Sequence, residues 1–269
     1  MNSFSNLFIF IICVLCISSC QKKEKIITKS EKEWIELFNG NDLNNWIVKI
    51  KGYPLNENVN NTFRVENGVL KVSYDEYQSF DASYGHIFYK KLFSSYKLRL
   101  KYRFIGNQVI GGASWAEKNS GVMVHSQSPN SMEIDQDFPV SIEVQLLGGI
   151  DNEKERPTAN LCTPGTHVVM DNRLITEHCI NSSSKTFYGD QWIKLEVLVV
   201  KDSLISHTIN GDVVLSYSNP QIGGEYNTLI SRDGELLKSG YISLQSESHP
   251  IEFRNIELLD LDLINSFKN

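Results

Sequence analysis

The segment 97–104, KLRLKYRF, constrains the fold more than any other part of this 269-residue chain. Lys97, Arg99, Lys101 and Arg103 alternate with Leu98, Leu100, Tyr102 and Phe104. A period of two belongs to an extended strand, whose successive side chains point to opposite faces. One face must then be buried against another layer while the charged face stays wet. The chain needs at least two layers, and strands must build them.

Related patterns recur along the sequence. They predict strands at 62–66, 69–74, 96–105, 120–126, 140–147, 166–170, 191–200, 203–209, 212–217, 240–246 and 251–260. Asn67-Gly68 and Asn210-Gly211 are two-residue hairpin signals of the type I′ kind. A weak helical period is confined to 225–238. Many strands joined by short turns imply an all-β sandwich of two antiparallel sheets, one curved to leave a concave face for a ligand. Leu98, Leu100, Ile142, Val144, Ile242 and Leu244 are the predicted core. In 251–256, Ile251, Phe253 and Asn255 are expected to share one face.

The start of the chain speaks to compartment. An apolar run from Leu7 to Ile17 is too short to span a bilayer and has the length of a signal-peptide core. It leads through small residues to Cys20 and resembles a bacterial lipoprotein signal, although residues 1–19 hold no Lys or Arg. The expected organisation is a signal at 1–19, a polar tether at 20–33 beginning with an acylated Cys20, and one domain at 34–260. Such a chain is exported and lipid-anchored, in the periplasm or on the cell surface. Of the 5 cysteines, Cys162 and Cys179 lie outside the signal. In an oxidising compartment they are candidates for one disulfide, with a metal pair as the competing reading. A net charge of -6 speaks against nucleic acid as a partner.

Four segments could line the concave face. In 240–258, GYISLQSESHPIEFRNIEL, Gln245, Glu247 and His249 gather hydrogen-bonding groups around a polar corner, as a face for a hydroxyl-rich ligand requires. In 111–127, Trp115 and Asn119 precede a strand whose phase puts Gly121, Met123 and His125 on one side. In 138–149, Ser141, Glu143 and Gln145 oppose Ile142, Val144 and Leu146. A mid-strand carboxylate with apolar neighbours is costly unless its face is wet or the group is used; an exposed Glu143 paired with a Lys or Arg is the bland alternative. In 162–170, His167 begins a strand just after Cys162. Glu143, His249 and His125 are the candidate catalytic groups. Gln145, Gln245, Glu247, Asn119, His167 and Trp115 are the candidate sugar contacts.

Taken together, WIELFNGNDLNNWIV (34–48), NSGVMVH (119–125), SIEVQLLGG (141–149), CTPGTHVV (162–169) and GYISLQSESHPIEFRNIEL resemble the 3-keto-disaccharide hydrolase family. The resemblance runs from about Trp34 to Leu258. It implies a concanavalin A-like lectin/glucanase sandwich, or jelly roll, acting on sugars oxidised at C3. A C3 carbonyl acidifies the C2 proton, so a general base can form an enolate and the C1 substituent can leave; water then adds back. Such a site needs a base, a donor or cation at the enolate oxygen, and an acid for the leaving group. A divalent metal would serve at the enolate, but no spacing demands one.

Two other readings are weighed against this one. A retaining glucanase of the same fold resembles its relatives in a strand motif Glu-x-Asp-x-x-Glu. Here Glu133, Asp135 and Asp137 have the wrong offset and sit in a Pro-bracketed run that reads as a loop. A non-catalytic carbohydrate-binding protein would use the same polar face, with Trp115 or Tyr241 as a stacking platform.

Overall fold

A computed structural model describes residues 34–150 and 154–266. The signal at 1–19 and the tether at 20–33, with Cys20, lie outside the described residues. Two antiparallel sheets face one another, as the alternating segments require. One sheet runs in the order Cys179–Ile180, Asn160–Cys162, Ile142–Leu147, Asn119–Ser126, Tyr241–Ser246, Gly85–Tyr89 and Trp46–Ile50. The larger sheet runs Arg173–Ile175, Thr166–Met170, Asp212–Ile222, Leu204–Ile209, Ile193–Val200, Ser95–Phe104, Ile251–Asp260, Val69–Val72 and Phe63–Glu66, with Ile35–Glu36 also paired to Ile251–Asp260. The expected sandwich is present, and each predicted strand is found.

The core lies between the sheets. Leu98, Leu100, Ile142, Val144, Ile242 and Leu244 are all buried there, each at 1% exposure or less. Burying a side chain of this size contributes about 1.5–3 kcal/mol. Several polar groups in this layer are paired: His207 bridges the Ala159 carbonyl at 2.8 Å and the Tyr217 hydroxyl at 2.7 Å, and Tyr102 meets Thr158. Asn210-Gly211 turns between two strands with φ of 52° and 104°, the left-handed pair that a type I′ hairpin needs.

Two expectations are corrected, and some strands were not foreseen. The stretch 225–238 forms no α-helix; it holds one 3-10 turn at Ile230–Arg232. In Ile251–Asp260 the register shifts between Arg254 and Glu257, and Asn255 takes φ 52°. This bulge exposes Asn255 and turns Ile256 into the core, so Asn255 does not share the face of Ile251 and Phe253. Further strands were hidden from pattern reading, among them Trp46–Ile50 and Gly85–Tyr89. Both of their faces are covered: Lys49 and His86 on the outer side are as buried as Ile50 and Ile87 on the inner side. A strand buried twice shows no polar–apolar alternation.

Candidate functional site

The outward face of the seven-stranded sheet carries the chemistry. Because Val122, Val144 and Leu244 face the core, their strand neighbours Gly121, Glu143, Gln145, Ser243 and Gln245 must face away from it. Register then aligns them. Gln145 lies opposite Gly121 on one side and Asn160 on the other, while Gln245 lies opposite His86, which lies opposite Lys49. One step further along, Met123 lies opposite Glu143, Glu143 opposite Cys162, and Cys162 opposite Cys179. Two adjacent rows across the sheet thus hold most of the polar groups.

A cavity opens over this face. Asn119, Glu143, Gln145 and Glu247 line it from the sheet; Trp115, Phe138, Pro164, His178, Tyr226 and the Cys162–Cys179 pair line it from around the edge. Asn160 donates to Gln145 Oε1 at 3.1 Å, which leaves the Gln145 NH2 group as the part offered to a ligand. The two carboxylates come from strands separated by one intervening strand, that of Gly121. The glycine matters there. A Cβ at 121 would stand 2.5 Å from Glu143 Oε1 and 2.9 Å from its Cδ and Cγ. The Glu143 side chain therefore lies across Gly121, on the strand that separates it from Glu247.

Both carboxylates are nearly inaccessible to solvent. Burial pushes Glu143 up to about 8. Burial, and then the charge of Glu143, holds Glu247 well above the usual carboxylate range. Neighbouring buried acids of this kind, with Glu143 raising Glu247, titrate as a unit, so near neutral pH the pair retains proton that isolated glutamates would have lost. Glu247 Oε2 and Asn119 Oδ1 have no hydrogen-bond partner among the described residues.

Aromatic rings form an arc around the cavity. Trp115, 54% exposed, stacks on Tyr84 at 6.4 Å and 18°. Tyr84 meets Phe138 at 5.1 Å, Phe138 meets Tyr226 at 5.5 Å, and Tyr226 meets His178 at 5.3 Å. Phe138 follows the loop containing Glu133, Asp135 and Asp137, so that acidic run is a loop, as its prolines implied. Cys162 and Cys179 form a disulfide, which excludes the metal-pair reading and fixes the edge beside Glu143. Among the described residues, no three His, Cys, Asp or Glu side chains are arranged to hold a metal ion. A cation in the cavity would meet two carboxylates and the Asn119 amide oxygen, a hard-oxygen donor set.

The structure thus brings Glu143, Gln145, Glu247, Asn119 and Trp115 together, with Gln245 on the same face. The three predicted histidines lie elsewhere. His125 takes φ 50° at a register shift, and its Nε2 lies 2.9 Å from the Lys201 carbonyl of the other sheet. The bulge breaks the phase that was to carry it to the concave face. His249 is buried edge-on against Phe104 at 5.6 Å, near Lys118 and Arg156; burial and those cations push it down to about 4. It does not line the cavity. His167 sits in the larger sheet beneath Gly223 and Gly224, the turn that leads to Tyr226. His86 and His178 are the histidines that belong to this face instead. His178 precedes Cys179, and that adjacency was the sequence signal for it; His86 carried none.

With the site in view, comparison with known proteins becomes informative. Residues 33–259 match the model of a family described as the 3-keto-alpha-glucoside-1,2-lyase-like domain. The chain belongs to this family. Membership makes it a carbohydrate-active protein of glycosyl hydrolase-like kind. No curated protein matches its sequence. Among solved structures it is similar to a protein from Parabacteroides distasonis provisionally named a glycosyl hydrolase, with 18% identity and a TM-score of 0.50, covering 84% of this chain and 98% of that one. A second such protein from the same organism has 19% identity and a TM-score of 0.47, with coverage of 84% and 93%. A carbohydrate-binding module from Bacillus subtilis has 8% identity and a TM-score of 0.42, with coverage of 79% and 93%. The first of these bears on the fold alone, a lectin-like sandwich.

Proposed function

We propose that this family member cleaves glycosidic bonds of 3-keto-glycosides by proton abstraction at C2, elimination and rehydration. The observation that carries this reading is the Glu143–Glu247 pair, two buried carboxylates on one concave face on either side of Gly121. Elimination needs a base and an acid at once, and a pair holding one proton supplies both. The ionised member, assigned to Glu143, takes the C2 proton. The C2–H electrons form the C2–C3 double bond as the C3 carbonyl becomes an enolate. The enolate collapses, the C1–O bond breaks, and the protonated member, assigned to Glu247, gives its proton to the departing oxygen. One carboxyl has gained a proton and the other has lost one, so the pair's total is unchanged. Water then adds its oxygen to C1 and a proton to C2. The amide donors of Asn119 and Gln145 are the groups available to the enolate oxygen.

Trp115 favours a second reading, a carbohydrate-binding protein without catalysis, because an exposed ring beside a polar floor is a stacking surface for a sugar. One assay separates the two. The domain is incubated with aryl 3-keto-glucosides and with the unoxidised glucosides, with and without chelator. Release of the aryl group from the oxidised substrate alone is expected; binding of both without release would sink the catalytic reading. We further propose export and lipid attachment at Cys20, tested by labelling cells with radioactive palmitate, where Cys20→Ala should abolish incorporation.

A further inference from the structure

The outward face of the larger sheet, on the far side of the sandwich from the carboxylate cavity, holds one row of charge that is not balanced. Lys194, Lys101 and Arg254 lie directly opposite one another on three neighbouring strands. Like charges at such positions repel across about 5 Å. The adjacent rows are mixed: Glu196, Arg99 and Glu257 form one, and Arg103 and Glu252 belong to the other. Among the described residues, neither Lys101 nor Arg254 has a carboxylate within salt-bridge distance, and Arg254 Nε is buried without a hydrogen-bond partner. Lys194 meets Glu196 at 2.7 Å in a pair open to water. A cleft opens beside this row, and the bulge after Arg254 makes it. Asn255 and Ile256 together stand opposite the single Leu100, and Asn255 turns outward. Arg99, Lys101, Lys194, Asn255 and Glu257 line the cleft with Leu100, enclosing about 240 Å³. At ~30 Å³ of liquid per water, that is room for a small oxyanion and its hydration. Three cations face one carboxylate there, and that carboxylate is already held by Arg99 Nε at 2.6 Å.

We propose that this cleft binds a phosphate-type oxyanion, free or as a lipid headgroup, between Lys101 and Lys194, with the Asn255 amide donating to it. The two ammonium groups are compact charges on flexible stems, each with three donors to aim. A tetrahedral oxyanion presents oxygens in several directions and suits them. A planar carboxylate is better matched by the fork of an arginine, and Arg99 has already committed part of its fork to Glu257. A bound anion also cancels the repulsion along the row, so attraction and relief act together. A neutral ligand would gain neither. A headgroup is one of the two sources because Trp34 stacks on Arg99, its ring centre 3.8 Å away, and the segment leading back to Cys20 therefore joins the domain beside the cleft. That source rests on the lipid attachment proposed above; the oxyanion site itself does not.

The test has two arms, both on the full chain with ionic strength held constant by chloride. The first is calorimetric titration with inorganic phosphate at neutral pH; the second is sedimentation with vesicles of phosphatidylglycerol or of phosphatidylcholine. Phosphate binding at millimolar concentration or below, with no preference between the vesicles, makes the free oxyanion the source. A preference for phosphatidylglycerol that Lys101→Gln removes makes the headgroup the source. In the arm that shows binding, Lys101→Gln should weaken it about tenfold, the scale for one charge-assisted hydrogen bond. Glu257→Gln should strengthen it, by up to about fivefold, because it removes the acid from the cleft and frees Arg99. That opposite sign is one that general damage to the sheet would not produce. The melting temperature of Lys101→Gln in chloride should hold or rise, since the substitution relieves the row. Failure of both arms would overturn the site, as would binding that ignores Lys101→Gln or is weakened by Glu257→Gln. None of these readouts depends on aryl release from 3-keto-glucosides.

Discussion

The outward faces of the two sheets obey the same alternation and end in opposite states. On the larger sheet, the two arginines of the segment that announced the fold are neutralised by neighbours across the strands. Arg99 Nε meets Glu257 at 2.6 Å and Arg103 Nε meets Glu252 at 2.7 Å. Aromatic rings cover what remains: Arg99 lies over Trp34, while Arg103 and Arg254 lie over Trp192. On the smaller sheet, Glu143 and Glu247 have no cation within salt-bridge distance among the described residues, and His86, Ser243 and Gln245 keep unpaired atoms. One face pairs most of its polarity within itself; on the function proposed above, the other holds it for a ligand. Burial without pairing, rather than polarity as such, marks the functional side.

The comparison breaks most visibly if the carboxylates are not used. Glu143→Gln should lower turnover on a 3-keto-glucoside about 10³-fold, within the usual range for a general base and equivalent to about 4 kcal/mol of barrier. The variant should fold, because the amide keeps the shape and removes the charge that burial penalises. Near-normal turnover in steady-state kinetics would take Glu143 out of the chemistry.

Gly121 tests the pair through its geometry. An added methyl must displace the Glu143 side chain, since it would stand 2.5 Å from Oε1. Gly121→Ala should therefore cost about 10²-fold in turnover, the scale expected of a roughly 1 Å misplacement. It should also move the alkaline limb of the pH–rate profile downward, because Glu247, the proton donor, loses the neighbouring charge that helps to raise it. A loss of rate with an unmoved profile would show that the glycine matters only for packing.

Stability should also depend on pH, with a sign set by the same pair. The raised carboxylates bind protons in the folded state that the unfolded chain, near 4.3, has already released. Their stabilising contribution is full below that value and fades as pH rises toward about 8 for Glu143. Buried neutral histidines oppose this at lower pH. His86, His207 and His249, all pushed down to about 3 or 4, make stability rise with pH until the unfolded histidines lose their protons near 6.5. Between pH 6.5 and 8 the carboxylates act without that opposition. Stability in urea should fall there by up to about 1.4 kcal/mol per pH unit for each proton released, and less steeply in Glu143→Gln. Identical slopes would mean that Glu143 is already ionised in the folded state.

How much of this was legible in the chain follows from the same contrast. Where one face is wet, as in Ser95–Phe104 and Ile193–Val200, alternation revealed both strand and core. Glu143, Gln145 and Gln245 were legible for the same reason, being polar residues in phase opposite an apolar row. Gly85–Tyr89 was not, because loops bury its outer face and His86 sits among apolar residues as one of them. His125 and Asn255 were misassigned because a bulge adds a residue without a reliable local signature, and every side chain beyond it changes face. Tyr226 and Phe138 reach the cavity from loops, and loop geometry has no period to read.

The smallest expected effect comes from the larger sheet and guards against reading function into any buried-looking charge. Arg99→Gln removes an ion pair with Glu257 whose partners are about one-third exposed, together with a stacking contact on Trp34 at 3.8 Å. Pairs of this kind contribute about 0–1 kcal/mol, and water can solvate Glu257 once its partner is gone. The variant should lose no more than about 1 kcal/mol in urea unfolding, less in high salt, and turnover should stay within about twofold of wild type. If Arg99→Gln instead impaired turnover as severely as Gly121→Ala, the division of labour between the sheets would be wrong, since a paired and solvated cation on the far face would then be reaching the carboxylates through the core.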